Sequence, residues 1–146
     1  QNRNEFSRNG ISYRVNLALN YGGVFRLKTQ AVFIDNTNAQ FPYEIKELQR
    51  FDRDIAAPKA GSTYVMLARS GTGPQLMNFA EEDVQCAAGA TRPAASLHAS
   101  LSGQALMLEC TAYGVNKTVL NKSQHAWLQD LGVAVLVLPA ETVSDA

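Results

Sequence analysis

A strict two-residue alternation near the start of the chain is the feature that most constrains its fold. From Ile11 to Leu19, apolar side chains occupy the odd positions and polar or small side chains the even positions. Successive side chains of a strand point to opposite faces of a sheet, so this period predicts a long strand with one buried face. The glycines of Tyr21-Gly22-Gly23 favour a tight hairpin turn, and a second alternation runs from Phe25 to Phe33. The chain therefore starts with a predicted β-hairpin.

Most of the remaining segments also have the composition of strands. The segment from Phe41 to Arg53 fits a helix and a bulged strand about equally, and we favour the strand because Phe41-Pro42-Tyr43 is a poor start for a helix. Other runs predict further strands: Thr63 to Arg69, Asp83 to Ala87, Leu97 to Ser102, Gln104 to Ala112 and Val133 to Leu138. The one predicted helix covers about residues 123–131 and ends before Gly132. We therefore expect a mainly β protein, an antiparallel sheet or sandwich with one short helix.

The length of 146 residues favours a single domain. We expect a polar N-terminal tether at residues 1–10, one β-rich domain at residues 11–139 and a C-terminal tail at residues 140–146. The polar start at Gln1 fits a mature chain whose targeting segment has been removed, or a tether behind a lipidated cysteine further upstream.

The charge of the chain is balanced, with 13 Lys and Arg against 13 Asp and Glu. A net charge of zero lacks the long-range attraction that proteins use to bind nucleic acids or anionic membranes. Polyanions are therefore not expected as partners.

The residues that catalysis would need are scarce. His98 and His125 are the two imidazole bases in the sequence, and both are expected on the surface. Ser70 lacks the strand-turn-helix setting of an activated serine, and Gly71-Thr72-Gly73-Pro74 lacks the helix that a phosphate site requires. Adjacent carboxylates on a strand would face away from each other. We predict no catalytic residue, no metal, no cofactor and no enzymatic activity.

The two cysteines, Cys86 and Cys110, each lie in a strand-like run. Pairing is feasible and would stabilise the fold by about 3.5 kcal/mol through closure of a loop of about 25 residues. Two buried free thiols are the alternative. A zinc site is disfavoured, because neither cysteine has a second Cys or a His at ligand spacing.

The remaining candidates for function are loops between strands, since rigid β scaffolds often carry binding residues there. A protruding glycine turn can enter the cleft of a partner, and carboxylates can pair with its basic residues. The candidate partner-binding residues are Ser70, Gly71, Thr72, Gly73, Glu81, Glu82 and Asp83.

Three segments, residues 9–17, 61–66 and 125–133, together with the length, the β-rich pattern and the cysteine pair, give the chain a resemblance to a known family. It resembles the periplasmic immunity proteins of bacterial type VI secretion systems, and is most similar to the inhibitors of muramidase effectors. The resemblance implies a soluble or lipid-tethered periplasmic protein that blocks the glycan groove of a cell-wall glycosidase. Calcium, which such muramidases can require, would belong to the partner. The alternative is an envelope lipoprotein or assembly module with no inhibitory role.

Overall fold

The computed structural model describes residues 2–33 and 41–138, and they form an antiparallel sheet of nine strands. The strands are β1 (Asn2–Arg8), β2 (Ile11–Tyr21), β3 (Phe25–Phe33), β4 (Tyr43–Phe51), β5 (Thr63–Thr72), β6 (Ala80–Pro93), β7 (Gln104–Tyr113), β8 (Val119–Leu128) and β9 (Val133–Leu138). Short 3-10 turns occur at Arg53–Ala56, Ala94–Ser96 and Val115–Lys117. The predicted mainly β, antiparallel fold is confirmed.

Strands that follow one another in the sequence are paired, so β1 and β9 form the two margins of the described sheet. The predicted hairpin is present as β2 and β3, and β4 is the bulged strand that we favoured, with shifts of register at Ile45/Glu47 and Leu48/Arg50. We call strands β1 to β3, residues 2–33, the N-terminal ribbon. In the described residues, Lys28 and Thr29 of the ribbon pair with Glu44 and Tyr43 of β4.

The sheet curls, so that its early and late strands meet. The turn between β2 and β3 contacts β9, and a Cβ atom placed on Gly23 would clash with the carbonyl oxygen of Ala134. Phe25 of β3 and Ala134 of β9 both belong to the main core. The concave face encloses apolar side chains that one flat sheet would leave in water.

Alternation along the strands fills this main core. Its buried members are Phe25, Ile55, Tyr64, Met66, Ala68, Cys86, Ala88, Leu106, Leu108, Cys110 and Ala134. Tyr21 and Phe51 add an edge-to-face aromatic pair with ring centroids 4.9 Å apart. The burial of this apolar surface is the main contribution to the stability of the fold.

A second, smaller core covers the opposite face of β7 and β8. Its buried members are Ala94, Ala105, Met107, Ala126 and Leu128. Leu97 and Leu101 pack against it from the connection between β6 and β7. The predicted strand from Leu97 to Ser102 is absent, because these residues form turns that cover this face of the sheet.

Cys86 on β6 lies directly opposite Cys110 on β7, and the two form a disulfide bond. Their Cα atoms are 4.0 Å apart and both side chains are buried in the main core. The predicted pairing is confirmed, and it joins two strands in the middle of the sheet.

The predicted helix at residues 123–131 is wrong. Residues 119–128 form β8, which pairs with β7 on one side and β9 on the other. Trp127 packs against the main core while Ala126 and Leu128 pack in the second core, so alternate residues serve opposite faces. Burial on both faces outweighs the local helix signal, and Gly132 lies in the turn to β9 with a φ of 65°.

The first residues also differ from expectation. Residues 2–8, expected in the polar tether of residues 1–10, form β1 and pair with β2 from Asn2↔Ala18 to Arg8↔Ile11. The polar composition of β1 fits a strand at the margin of the sheet, where charged side chains are tolerated. The predicted tail at residues 140–146 lies outside the described residues. Within the part of the chain that the structure describes, no helix is long and apolar enough to cross a lipid bilayer.

Candidate functional site

The predicted partner-binding residues lie at one end of the sheet, where β5 ends and β6 starts. Since the strands are antiparallel and sequential, the connections that follow β3, β5 and β7 all lie at this end. We call it the loop end. The Gly73 amide, after β5, donates a hydrogen bond at 2.9 Å to the carbonyl of Pro42, before β4, so the chain segments at this end contact each other. The topology therefore places these loops together, although residues 34–40 between β3 and β4 lie outside the described residues.

The predicted glycine turn is displaced along the chain. Ser70, Gly71 and Thr72 are the last residues of β5 and pair with β4, so they are strand residues, while Gly73 follows directly. Gly71 does not end this strand, because a backbone without a side chain can still make the hydrogen bonds of the sheet. A Cβ atom on Gly71 would lie 2.5 Å from Oε1 of Gln75, so a larger residue there would displace the Gln75 side chain.

The protruding connection is residues 73–79, which we call the tip loop. Gln75 holds it in shape: its Oε1 accepts a hydrogen bond from the Thr72 amide at 3.1 Å, and its Nε2 donates to the carbonyls of Met77 and Asn78, both at 2.9 Å. Leu76 and Met77 are 87% and 70% exposed at the end of the loop. The tip loop therefore presents two apolar side chains on a backbone that is already ordered.

Beneath the tip loop lies a buried polar network. Ser70 is 1% exposed, and its Oγ lies 2.7 Å from the Tyr43 hydroxyl and 2.8 Å from Oε1 of Glu82. A carboxylate only accepts, so the single Ser70 proton is donated to Glu82, and Ser70 accepts from Tyr43. Arg26 donates to the same Glu82 oxygen at 3.0 Å, and its guanidinium lies over the Tyr43 ring. The network ties β3, β4, β5 and β6 together at the loop end.

The predicted acidic loop is part of strand β6, and its carboxylates lie on two faces. Glu82 joins the buried network, whereas Glu81 lies 3.9 Å from Arg69. Asp83 accepts a hydrogen bond from Lys117 at 2.5 Å, and that bond raises the pKa of Lys117 above its usual value. The alternation of strand side chains explains why these three neighbours make separate contacts.

Lysine side chains hold the start of β4 at the same end. Glu44 lies 3.2 Å from Lys46 and 3.4 Å from Lys28, and hydrogen bonds from Lys46 and then Lys28 lower the pKa of Glu44. Lys46 also donates to the carbonyl of Gly73 at 2.8 Å. These contacts fasten the base of the tip loop to β4.

Two open depressions flank the start of β6. The first has a volume of about 260 Å³ and is lined by the network residues Arg26, Tyr43 and Glu82 and by the apolar side chains of Val84 and Leu120. The second, about 350 Å³, lies beside Asp83, Tyr113 and Lys117. The surface around the start of β6 therefore combines polar and apolar groups, as protein interfaces do.

The histidines lie away from this surface. His98 is exposed, as predicted, and its Nδ1 lies 2.7 Å from the Ser100 hydroxyl, in the connection between β6 and β7. His125, predicted on the surface, is buried on β8, because the expected helix is a strand whose His125 pairs with Leu108 and Leu136. Burial lowers the pKa of His125. In the described ranges, no group of three or more His, Cys, Asp and Glu side chains has the geometry to hold a metal ion.

Sequence reasoning missed the apolar part of the tip loop. The predicted turn ends at Pro74, yet Leu76 and Met77 follow within three residues and lie in a turn-rich stretch. Two large apolar residues between Pro74 and Asn78 are the signal that could have found them.

Comparison with known proteins adds no relative. No family model, curated protein or solved structure matches this chain.

Proposed function

We propose that this chain is a non-enzymatic immunity protein that binds a secreted muramidase and occludes its substrate groove. The observation that supports it best is the tip loop, where Gln75 holds Leu76 and Met77 exposed above a rigid sheet. A segment that is ordered before binding loses little conformational entropy when it enters a cleft. Exposed apolar side chains on such a segment are suited to be the anchors of a protein interface.

The surroundings of the tip loop fit the rim of an interface. Glu81 is exposed close to Arg69 on one side, and Lys117 is exposed beside Asp83 on another. An interface of standard size buries about 1,600 Å² in total, with apolar anchors at its centre and polar groups around them. The disulfide is compatible with the periplasmic location that this function requires. Calcium, if the complex uses it, would belong to the muramidase.

This proposal predicts that a secreted muramidase is encoded beside the gene for this chain, and its test is a peptidoglycan hydrolysis assay with that enzyme. The wild-type protein in molar excess is expected to abolish hydrolysis. Leu76→Asp and Met77→Asp should each weaken inhibition by roughly 30-fold or more, the size of a hot-spot contact. Their folds should be unchanged, because both side chains are exposed.

A matched control is Leu131→Asp, which changes an apolar residue that is 63% exposed in the turn between β8 and β9, at the opposite end of the sheet. It should inhibit like the wild type. Undiminished hydrolysis with the wild-type protein in excess would reject the inhibitor function. Binding to the muramidase without inhibition would favour the alternative, an envelope interaction module.

A further inference from the structure

Basic and acidic residues are unevenly distributed between the N-terminal ribbon and the rest of the sequence. The N-terminal ribbon contains five basic residues, Arg3, Arg8, Arg14, Arg26 and Lys28, and one acidic residue, Glu5. The remaining sequence contains eight basic and twelve acidic residues. Three of these five are in ion pairs, Arg3 with Glu5, Arg26 with Glu82 and Lys28 with Glu44. Among the described residues, Arg8 and Arg14 are the ribbon's basic side chains without an ion pair, and such side chains attract anionic groups.

One arginine of the ribbon is held in place by its neighbours. Arg14 of β2 lies directly between Phe6 of β1 and Phe33 of β3 in the register of the sheet. Its guanidinium carbon is 5.4 Å from the centroid of the Phe6 ring and 5.7 Å from that of Phe33. Its Nε donates a hydrogen bond to Oδ1 of Asn16 at 2.7 Å. Both rings attract the cation and Asn16 fixes its orientation.

Among the described residues, Arg14 has no ion pair, which distinguishes it from Arg26, Arg50 and Arg69 but not from Arg8, Arg53 and Arg92. Arg26, Arg50 and Arg69 each have a carboxylate oxygen within 4 Å. Across residues 2–33 and 41–138, no carboxylate lies within ion-pair distance of Arg14, and the hydrogen bonds found there use its Nε alone. The two terminal nitrogens form a planar fork that matches a carboxylate. A half-buried guanidinium with this fork free is therefore complementary to a carboxylate from another molecule.

Arg14 and the tip loop lie at the same end of the sheet. Arg14 is the fourth residue of β2, and Phe33 is the last residue of β3. The start of β2 and the end of β3 lie at the loop end, as do the end of β5 and the start of β6. One partner that covers the loop end would therefore meet both features.

We propose that Arg14, supported by Phe6 and Phe33, pairs with a carboxylate in the substrate groove of the muramidase. This proposal rests on the proposed function and names the chemistry of the partner at this contact. Glycosidases place a pair of carboxylates on either side of the scissile bond, so their grooves present acidic groups to any protein that fills them. Arginine is one of the residue types enriched in interface hot spots, and the aromatic rings already orient Arg14.

The experiment measures the affinity of the muramidase for three variants by calorimetry. Arg14→Gln removes the charge and should weaken binding by roughly 30-fold or more. Arg14→Lys keeps the charge without the fork and should recover only part of the loss. Arg92→Gln removes an exposed charge of the same sign near the opposite end of the sheet and should bind within about twofold of the wild type. Thermal unfolding of each variant shows that the fold is intact.

A second arm identifies the group that Arg14 contacts. The acidic residues of the muramidase groove are changed to amides one at a time, and the Arg14→Gln effect should shrink strongly with one of them. A wild-type protein that inhibits while Arg14→Gln binds equally tightly would overturn this inference and leave the proposed function intact. A wild-type protein that neither binds nor inhibits the muramidase would reject both. Binding of a DNA oligonucleotide that depends on Arg14, with no Arg14 effect on the muramidase, would also overturn the inference.

Discussion

Ser70 of β5 donates its hydroxyl proton to Glu82 of β6 across an oxygen-oxygen distance of 2.8 Å, at a position where Ser70 is almost fully buried. The same hydroxyl oxygen lies 2.7 Å from that of Tyr43 on β4. One small side chain therefore satisfies two larger polar groups. This arrangement makes Ser70 a structural residue beneath the proposed interface.

Ser70→Ala should lower the free energy of unfolding by about 1–3 kcal/mol, because it leaves the part-buried Tyr43 hydroxyl without an acceptor and removes one of two donors to Glu82, which keeps its bond from Arg26. Urea unfolding measures the change. Ser100→Ala removes an exposed hydroxyl that contacts His98, and it should change the unfolding free energy by less than about 0.5 kcal/mol. Equal values for the two variants would contradict the buried network.

The contact between the β2–β3 turn and β9 can be tested at Gly23. Gly23 has a φ of 77°, and an added Cβ would clash with the Ala134 carbonyl oxygen. Gly23→Ala should therefore destabilise the protein through both backbone strain and steric overlap. Gly132→Ala is the matched control, because Gly132 has a φ of 65° and open space around its Cβ position. It should cost only the backbone strain of about 1–2 kcal/mol, and a thermal melt in which both variants behave alike would argue against the curled sheet.

Burial of His125 predicts a dependence of stability on pH. The pKa of His125 is lowered from its usual value of 6.5 in the folded protein, so the unfolded chain takes up the proton more readily. The unfolding free energy should be constant above about pH 6.5 and should fall as the pH drops from there to the folded-state pKa. Urea titrations between about pH 8 and about pH 5 measure this fall.

The variants His125→Leu and His98→Gln assign that fall to one residue. His125→Leu should remove most of it, since leucine cannot take up a proton. His98 is exposed, and His98→Gln should retain the fall. A fall of the same size in the His125→Leu variant would show that other groups cause it.

Loss of the disulfide should cost much of the stability. The variant with both Cys86 and Cys110 changed to alanine is expected to lose about 3.5 kcal/mol of unfolding free energy, because the unfolded chain regains the freedom of a loop of about 25 residues. Denaturant unfolding of the wild type with and without a reducing agent should give a difference of similar size. A stability that is the same in all three samples would contradict the assigned bond.

The sequence predicts the fold well where alternation is regular and where turn residues are distinctive. These signals predict the β2–β3 hairpin, while β4 is predicted from the poor helix start at Phe41-Pro42-Tyr43 and the cysteine pair from two strand-like runs. The helix at 123–131 is wrong because residues 125–128 of β8 pack on both faces of the sheet, so their hydrophobicity does not alternate. The strand β1 was missed because pairing with β2, rather than its own polar side chains, orders residues 2–8.

The candidate site was predicted only in outline. The glycines near residue 72 correctly indicated a protruding connection, but the position of the turn depends on pairing of Thr72 with Tyr43, which local composition does not contain. The Arg14 row depends on three strands being in register, and Phe6 and Phe33 are 27 residues apart in the sequence. A count of charges over residues 2–33 would have revealed the basic ribbon, which the total for the whole chain conceals.

The meeting of Gly23 with Ala134 has a consequence for how the protein reaches its final form during synthesis. Every strand pairs with its neighbour in sequence, so hairpins can assemble in order as the polypeptide emerges. The main core, which contains both Phe25 and Ala134, is however complete only after the last strand has appeared. A nascent chain halted before residue 133 would keep this apolar surface open to chaperones and proteases.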